Sequence, residues 1–205
     1  MRETEKKIGI IILAAGNSSR LGEPKQLLKF KNQTLIRRAA ETAVQSKAEK
    51  IVVVLGANFE SIKKEIEDLD CATVFNEIWS AGMSSSLKIG LEKLLEIAPD
   101  ISGAIISLCD QPLVRKKHFD ELIERFFQTR KPIVSAFYNE KSGVPALFSR
   151  ERFSDLMNLE GDRGARKLLN SDSDNIEKIN MPEAAFDVDT FEDFETLSAF
   201  SKELF

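Results

Sequence analysis

Short apolar runs alternate with longer amphipathic segments along the first two thirds of the chain. The runs are four to six residues long and rich in β-branched side chains, which is typical of buried parallel strands. Amphipathic segments of helical period lie between them, so the rhythm predicts a parallel sheet with helices on both faces. The predicted strands here are Ile8–Leu13, Lys50–Leu55, Ala72–Phe75 and Gly103–Leu108, and the predicted helices are Leu35–Ser46 with Thr34 as its N-cap, Phe59–Leu69, Ser84–Ile97 and Lys116–Thr129.

The rhythm changes after Pro132. A strand is predicted at Pro132–Ala136, and Tyr138–Gly143 is typical of a hairpin turn that leads into Val144–Phe148. Helices are predicted at Arg150–Asn158 and Ala165–Asn170, followed by an edge strand at Ile176–Asn180. The whole pattern predicts an α/β fold of three layers, Rossmann-like, with a mostly parallel mixed sheet and a small β-hairpin elaboration.

The segment after the first strand carries an informative pattern of small and charged residues. A loop of small side chains, Ala14–Ser19, is followed by Arg20 and Lys25. Small residues let backbone N–H groups approach a ligand, and successive amides form a concavity that binds anions. Neither G-x-x-x-x-G-K-[ST] nor G-x-G-x-x-G is present. The segment is interpreted as a nucleoside triphosphate loop, and the alternative is a tight strand-to-helix turn with two solvated cations.

Composition narrows the chemistry that the chain can perform. The 205 residues have a net charge of −4, two cysteines and one histidine. Mild acidity disfavours a nucleic-acid partner, no apolar run reaches membrane-spanning length, and isolated Cys71 and Cys109 suit a reducing cytoplasm. His118 is expected to be solvated or lightly packed in a helical first turn, so a His-dependent triad or zinc site has little support. Carboxylates, lysines, arginines, hydroxyls and an oxygen-bound metal must carry the chemistry.

Two stretches lie where the carboxyl ends of parallel strands bind ligands. Asn76–Ser86 contains Trp79, the only tryptophan, and either lies beside a base and ribose or forms a loop that caps the next helix with Ser84. Asp110 follows the strand Gly103–Leu108. A triphosphate brings Mg²⁺, which is held by one or two carboxylates plus phosphate oxygens. Asp110 is therefore favoured as a metal ligand over a role in capping the following turn.

Two segments near the end of the chain combine charge with turn-forming residues. Glu160–Arg166 has two glycines around two arginines, which could hold a phosphate at the start of a helix. The alternative for this segment is a glycine-rich turn with surface charges. Phe186–Thr190 alternates apolar and acidic residues, and Thr190 with Asp193 resembles a capping box with Asp in place of Glu.

Taken in order, these motifs resemble one family. LAAGNSSRLGEPK is similar to the L-A-A-G-x-S-x-R-[ML]-G-x-x-K signature of the MobA-like nucleotidyltransferases, and it is most similar to their MocA-like branch, the molybdenum cofactor cytidylyltransferases. The stretches that agree, in chain order, are NEIWSAGMSSSLKIGL, CDQPLV, SGVPALF, LEGDRGARKLL and FDVDTFEDF. The resemblance extends from about Ile8 to Phe194. It departs from the pattern D-[IV]-D-T-P-E-D-[LY] at Phe191, where proline is usual.

The resemblance implies a nucleotidyltransferase fold in one domain over residues 1–205, with a nucleotide-binding half at about 8–112 and an acceptor-binding half at about 113–194. It implies Mg²⁺ held by Asp110 and Asp187, with Asp189 and Thr190 opening the last helix. The implied catalytic residues are Lys25, Arg20 and Asp110. The implied nucleotide-binding residues are Leu13, Ala14, Ala15, Gly16, Arg20, Lys25, Gly82, Met83, Ser84 and Ser85, and the implied acceptor-binding residues are Gly143, Pro145, Asp162, Arg163 and Arg166.

Base and acceptor follow from the same analogy. Guanylyltransferase relatives have L-A-G-G in the first loop, whereas Ala14 and Ala15 leave less room for a purine, so CTP is the expected nucleotide. The expected acceptor is the terminal phosphate of molybdopterin carrying molybdenum, with a client molybdoenzyme as a partner in the cytoplasm. Two alternatives are a transferase of the same fold that uses a sugar or alditol phosphate, and a non-catalytic chaperone that binds the cofactor for molybdoenzymes.

Overall fold

The apolar runs become the strands of one seven-stranded sheet. A computed structural model describes residues 7–18, 21–171 and 175–200. The strands are β1 (Ile8–Ala14), β2 (Lys29–Phe30), β3 (Gln33–Thr34), β4 (Lys50–Leu55), β5 (Ala72–Phe75), β6 (Gly103–Leu108), β7 (Ile133–Tyr138), β8 (Lys141–Ser149) and β9 (Ile176–Asn180). The helices are α1 (Leu35–Val44), α2 (Phe59–Lys64), α3 (Met83–Ile97), α4 (Lys116–Thr129), α5 (Phe153–Met157), α6 (Arg166–Ser171) and α7 (Phe191–Phe200).

Strand order in the large sheet is β5-β4-β1-β6-β8-β7-β9. The pairs β5–β4, β4–β1, β1–β6 and β7–β9 are parallel, whereas β8 runs antiparallel to both of its neighbours. The predicted mixed, mostly parallel sheet is therefore confirmed, with β8 as its reversed strand. Because β1, β4 and β6 are adjacent and parallel, their carboxyl ends and the loops that follow them meet at one edge.

Helices cover both faces of the sheet, which makes the predicted three layers. On one face the buried side chains come from α1, α2 and α4, and on the other from α3, α5 and α6. Representative members of the two clusters are Ile36, Ala40, Ile62, Phe119 and Leu122 on the first face, and Leu87, Leu91, Leu94, Leu156 and Leu169 on the second.

Helix α3 crosses the sheet at unusually close range. A Cβ atom added to Gly90 would lie 2.6 Å from Ile11 Cγ2 and 2.7 Å from Val54 Cγ2. Real carbon atoms do not approach so closely, so the glycine lets the helix backbone rest directly on β1 and β4. This contact fixes the start of α3 relative to the loop that follows β1.

The predicted hairpin after Pro132 is present as β7–β8, within the large sheet, and β2–β3 is a second, separate hairpin that the sequence did not reveal. Two local predictions are corrected. The β7–β8 turn is two residues long, Asn139 and Glu140, both with positive φ, and not the longer turn expected. Helix α2 ends at Lys64 because hydrogen bonds of the i to i−3 type follow it, such as Ile66 N–H to the Lys63 carbonyl.

None of the helices within the described residues is long and apolar enough to cross a membrane.

Candidate functional site

The carboxyl edge of β1 and β6 opens into a cleft of two adjoining cavities. The first has a volume of about 360 Å³ and follows the loop after β1 toward the start of α3. Its walls comprise loop, helix-start and strand-end residues: Leu13, Ala14, Ala15, Gly16, Asn17, Lys25, Gln26, Trp79, Ser80, Gly82, Met83, Ser86, Leu108, Cys109, Asp110 and Asp162. We call it the loop cavity.

The second cavity has a volume of about 700 Å³ and lies toward α6 and the segment before α7. We call it the acidic cavity, and its lining is Lys25, Met83, Leu108, Asp110, Asp162, Arg166, Lys167, Asn170, Asp187 and Asp189. The two cavities share Lys25, Met83, Leu108, Asp110 and Asp162. A ligand in one cavity would therefore meet a ligand in the other beside Lys25 and Asp110.

The loop after β1 is held open by one buried amide. Gln26 is 1% exposed, and its Nε2 donates to the carbonyl of Ala14 at 2.9 Å and of Gly16 at 2.7 Å. The Lys25 backbone N–H donates to Ser18 Oγ at 2.9 Å. With its carbonyls bound to Gln26, the loop is fixed in a curve around the loop cavity. Gln26 is not among the predicted site residues, because its role depends on the folded loop.

Trp79 closes the far wall of the loop cavity. A Cβ atom on Gly56 would lie 2.8 Å from Trp79 Cβ and 2.5 Å from the Ala15 carbonyl oxygen, so the indole packs directly on the Gly56 backbone beside Ala15. Asn76 Nδ2 donates to Ser85 Oγ and to Ser86 Oγ, each at 2.9 Å, which joins the preceding connection to α3. The segment expected to lie beside a base thus borders the same cavity as the first loop.

Lys25 is ion-paired where the two cavities meet. Its ammonium group donates to Asp110 Oδ2 at 2.5 Å and to Asp189 Oδ1 at 2.8 Å. Burial disfavours the charged ammonium, but the Asp110 and Asp189 carboxylates outweigh burial and raise the pKa of Lys25 above its ordinary 10.5. Lys25 is therefore positively charged throughout the physiological pH range, and its ammonium group is fixed by the two carboxylates.

Asp110 and Asp187 converge, as the resemblance implies. Both line the acidic cavity, and the Val188 N–H donates to the Asp110 carbonyl at 2.9 Å, which holds the two segments side by side. Burial, followed by the negative charge of Asp110, raises the pKa of Asp187 from 3.8 to about 6, against the opposing effects of Gln111 and Arg166. The two carboxylates are close enough to repel each other.

The acid pair fits a divalent cation. Asp110 Oδ1 and Asp187 Oδ1 are buried and have no hydrogen-bond partner among the described residues. Buried carboxylate oxygens without partners are costly unless a cation or donor completes them. No group of three or more His, Cys, Asp or Glu side chains in the described part of the chain could hold a metal alone. Two protein carboxylates with substrate phosphates are the arrangement that Mg²⁺ commonly adopts.

Buried and cavity-facing residues alternate in the segment before α7, at 187–189. Val188 is fully buried against Leu28, Phe30, Leu35 and Leu197, so its neighbours Asp187 and Asp189 face the cavity. The predicted capping box is present, because Thr190 N–H donates to Asp193 Oδ2 at 2.8 Å and Asp193 N–H donates to Thr190 Oγ1 at 3.2 Å. The motif resemblance implies only a helix-opening role for Asp189, whereas the two-residue period of the segment places its side chain on the same side as that of Asp187.

The turn at 161–164 rests on the start of α3. Gly82 has φ of 107°, and a Cβ atom there would collide with Asp162 and with the Gly161 carbonyl carbon at 2.8 Å. Gly164 has φ of 48°, and a Cβ atom there would lie 2.7 Å from Met83 Sδ. These close approaches explain why glycines are needed at both positions. They bring Asp162 into both cavities.

The remaining predicted site residues are distributed unevenly. Seven of the predicted nucleotide-binding residues line the loop cavity, namely Leu13, Ala14, Ala15, Gly16, Lys25, Gly82 and Met83. Ser84 is buried and Ser85 bonds the Gly82 and Ile78 carbonyls, so the helix presents Ser86 to the cavity in their place. Because α3 starts at Met83 with Gly82 as its N-cap, Ser84 does not cap it.

Of the predicted acceptor-binding residues, Asp162 and Arg166 line the acidic cavity. Gly143 and Pro145 are buried within β8 and line neither cavity. A Cβ atom on Gly143 would lie 2.5 Å from Tyr138 Cζ, so that glycine admits an aromatic ring and not a ligand. Arg20 and the side chain of Arg163 lie outside the described part of the chain.

The expectation for His118 is corrected. His118 is 3% exposed, and its Nδ1 accepts a hydrogen bond from the Arg115 N–H at 3.0 Å. Burial lowers the pKa of His118, although Glu183 lies 3.4 Å from Nε2. The side chain therefore acts as a buried cap at the start of α4, away from the cleft. The sequence around His118 is strongly charged, so it did not predict that the distant turn Pro182–Ala185 would pack over this side chain.

Comparison with known proteins identifies the family. The sequence profile of the MobA-like NTP transferase domain matches residues 10–176. The chain belongs to this family. The matched range includes the loop after β1, the start of α3 and Asp110, and it ends before the segment that carries Asp187 and Asp189. The family match therefore does not extend to those two acids, and the evidence that they belong to the site is their position in the structure.

Proteins similar to this chain in sequence carry different names. Nicotine blue oxidoreductase from Paenarthrobacter nicotinovorans is 36% identical over 103 residues, which are 50% of this chain and 48% of that protein, so the match spans about half of it. Purine catabolism protein PucB from Bacillus subtilis is 28% identical over 193 residues, covering 84% and 91%. A probable molybdenum cofactor guanylyltransferase from Bacillus mycoides is 27% identical over 159 residues, covering 70% and 75%.

Solved structures of similar sequence share the fold of this chain. A homologue of Rv0371c from Mycobacterium sp. strain JC1 is 30% identical with a TM-score of 0.84, covering 97% of this chain and 98% of that one. Rv0371c from Mycobacterium tuberculosis H37Rv in complex with manganese is 27% identical with a TM-score of 0.79, covering 95% and 99%. A divalent cation has thus been observed with a similar protein.

Proposed function

We propose that this protein is a Mg²⁺-dependent nucleotidyltransferase that moves CMP from CTP to the terminal phosphate of molybdopterin carrying molybdenum. An acceptor phosphate oxygen attacks the α-phosphorus of CTP. The bond from that phosphorus to the oxygen bridging to the β-phosphate breaks, and pyrophosphate leaves with the bonding electron pair. The product contains a new pyrophosphate linkage between the two substrates.

One observation carries the proposal: two cavities large enough for separate ligands meet at Lys25, which is ion-paired, and at the buried carboxylate of Asp110. Nucleotidyl transfer requires two polyanions to be brought together at one phosphorus, so positioning and charge neutralisation supply most of the rate. The shared border of the cavities provides both, through the Lys25 ammonium and the Asp110 carboxylate. No covalent protein nucleophile is needed.

The protein groups have separate tasks in this scheme. The loop held by Gln26 presents its amides to the triphosphate, and Lys25 contacts the α-phosphate and stabilises the charge that develops there. Asp110 and Asp187 hold the divalent cation, which supplies charge neutralisation at the phosphate oxygens when bound. The orphaned Oδ1 atoms of both acids support their assignment as ligands.

The choice of CTP rests on the loop cavity. Ala14 and Ala15 both line it, and Ala15 occupies the position at which guanylyltransferase relatives have glycine. The added methyl group narrows the space beside Trp79, whose indole packs on the neighbouring Gly56 backbone. A smaller pyrimidine base suits this narrowed wall better than a purine.

The acceptor is assigned to the acidic cavity. Arg166 and Lys167 line the acidic cavity and not the loop cavity, and they supply cations for a phosphate at the start of α6. The molybdenum cofactor as the acceptor is supported by the motif resemblance and by the name of the Bacillus mycoides relative. A client molybdoenzyme would receive the product.

A second candidate keeps the reaction and changes the acceptor to a sugar or alditol phosphate. Of the described residues that line the acidic cavity, none is aromatic, so no ring is available there to stack on a planar pterin. Polar side chains dominate that wall, which favours a hydroxyl-rich acceptor. A non-catalytic cofactor-binding chaperone is less well supported, because a pure binder has no need for paired acids beside the triphosphate.

Two measurements test the proposal. Thermal shift with CTP, GTP, ATP and UTP in the presence of Mg²⁺ should show the largest stabilisation with CTP, and a clear preference for GTP would remove the cytidylyl assignment. Pyrophosphate release is then measured with molybdenum-loaded molybdopterin and with a panel of sugar and alditol phosphates. Release with the pterin alone supports the first candidate, release with a sugar phosphate supports the second, and no release contradicts both.

A further inference from the structure

We propose that Asp189 is the positioning residue that holds the Lys25 ammonium at the α-phosphate while Asp110 is engaged with the metal. The inference rests on the proposed transfer reaction and assigns a role to an acid outside the two metal ligands. It explains why the catalytic lysine contacts two carboxylates and not one.

The contact between Asp189 and Lys25 is direct. Asp189 Oδ1 accepts from Lys25 Nζ at 2.8 Å, across 164 residues of chain. The Lys25 side chain is 16% exposed and that of Asp189 is 40% exposed, so Asp189 lies at the cavity mouth and Lys25 behind it. From this place the acid limits the directions in which the ammonium group can move.

The backbone of Asp189 is anchored on both sides. Before it, Val188 is fully buried and its N–H donates to the Asp110 carbonyl. After it, the Asp189 and Thr190 N–H groups both donate to Asp193 Oδ2, at 3.1 Å and 2.8 Å. The ammonium group of lysine is carried on a flexible four-carbon side chain. A carboxylate on a fixed backbone can therefore restrict that ammonium group to one place.

Asp110 alone cannot hold Lys25 through the reaction. Its Oδ2 bonds the ammonium and its Oδ1 is the orphaned atom assigned to the divalent cation. Two cations then compete for one carboxylate, which weakens its hold on Lys25. Asp189 contacts the ammonium directly at 2.8 Å, so it can keep Lys25 in place when Asp110 is engaged with the cation. Positioning of this kind is worth large factors in rate, because small displacements of a catalytic group are costly.

The test compares Asp189→Asn with wild type in steady-state pyrophosphate release and in Mn²⁺ binding. We expect kcat to fall by roughly 10- to 100-fold, while the KM for CTP and the Kd for Mn²⁺ change by less than about threefold. Asp187→Asn provides the contrast, because loss of a metal ligand should weaken Mn²⁺ binding. Glu195→Gln is the matched control, because it removes one negative charge from the exposed face of α7 and lines neither cavity, so kcat should stay at the wild-type level.

A second readout does not depend on activity. Metal-free protein is labelled with an amine-reactive reagent, and the Lys25 peptide is quantified by mass spectrometry. Labelling of Lys25 should rise several-fold in Asp189→Asn and stay at the wild-type level in Glu195→Gln. Lys47 is the internal control, because it pairs with Glu124 at a distant site.

The outcomes separate this inference from the proposed function. Unchanged kcat with unchanged Lys25 labelling in Asp189→Asn overturns the positioning role, and so does a large loss of Mn²⁺ affinity, which would make Asp189 a ligand. If wild-type protein releases no pyrophosphate with any acceptor, the transfer function fails, and unchanged labelling would then overturn the hold of Asp189 on Lys25 as well.

Discussion

Replacing Asp187 by Asn should stabilise the metal-free protein at neutral and alkaline pH. Asp187 is a partly buried acid beside Asp110, and burial followed by the charge of Asp110 raises its pKa from 3.8 to about 6. A raised pKa means that the folded state disfavours the ionised carboxylate relative to the unfolded chain. The protonated Asp187 carboxyl therefore contributes to the stability of the folded state. That contribution is fully present below about pH 4 and is lost as the pH rises through about 6.

The magnitude follows from that pKa difference. The gap between 3.8 and about 6 corresponds to about 3 kcal/mol at about 1.4 kcal/mol per pH unit. Asp187 is only partly buried, so solvent screening reduces the figure to about 1–2 kcal/mol. Asparagine has nearly the same shape and no charge, so Asp187→Asn should gain this amount above about pH 7 and almost nothing near pH 4.

The assay is urea unfolding followed by far-UV circular dichroism in EDTA, at pH values from 4.5 to 8. Glu92→Gln is the matched control, because it makes the same charge change on the exposed face of α3. Adding millimolar Mn²⁺ at pH 7.5 should stabilise wild type and not the Asn variant. A difference between Asp187→Asn and wild type that does not grow with pH, or a variant less stable at pH 8, would refute the reasoning.

Four further substitutions test separate parts of the structure. Ala15→Gly should raise the ratio of GTP to CTP turnover about tenfold by widening the loop cavity, since one methyl group in a pocket changes discrimination by about this factor. Parallel kcat/KM measurements would show the change, and an unchanged ratio would mean that Ala15 does not select the base. Lys25→Ala should lower kcat by at least roughly 100-fold, and near-wild-type turnover would remove its catalytic role. Arg166→Ala should raise the KM for the acceptor with little change for CTP, so an equal rise for both would move Arg166 out of the acceptor site. Gly90→Ala should cost about 1–3 kcal/mol in urea unfolding, because its methyl group would collide with Ile11 and Val54; a neutral effect would contradict the close packing of α3.

The strands could be predicted because their signal is local. Ile8–Ala14 and residues 51–55 are apolar and buried throughout, and such runs form buried strands in almost any α/β arrangement. The convergence of Asp110 and Asp187 was also predictable, since ligands of open α/β sheets gather at the carboxyl ends of the strands. The motif resemblance supplied the partner acid, which is 77 residues away.

What the sequence missed depends on contacts that exist only after folding. Gln26 finds its two carbonyl acceptors only when the loop has curved back over it. His118 looks exposed on its own helix and is buried by the turn that contains Glu183. Gly143 looks like a binding glycine in its motif, yet the space beside it is filled by the Tyr138 ring from the neighbouring strand.

The central claim is that the reaction centre lies where the loop cavity and the acidic cavity meet. The most direct test is a crystal structure with a non-hydrolysable CTP analogue and Mn²⁺, in which anomalous scattering locates the metal. We expect the manganese peak between the carboxylates of Asp110 and Asp187, with the α-phosphate beside Lys25. A manganese peak away from those two acids, or a nucleotide bound outside the loop cavity, would contradict the claim.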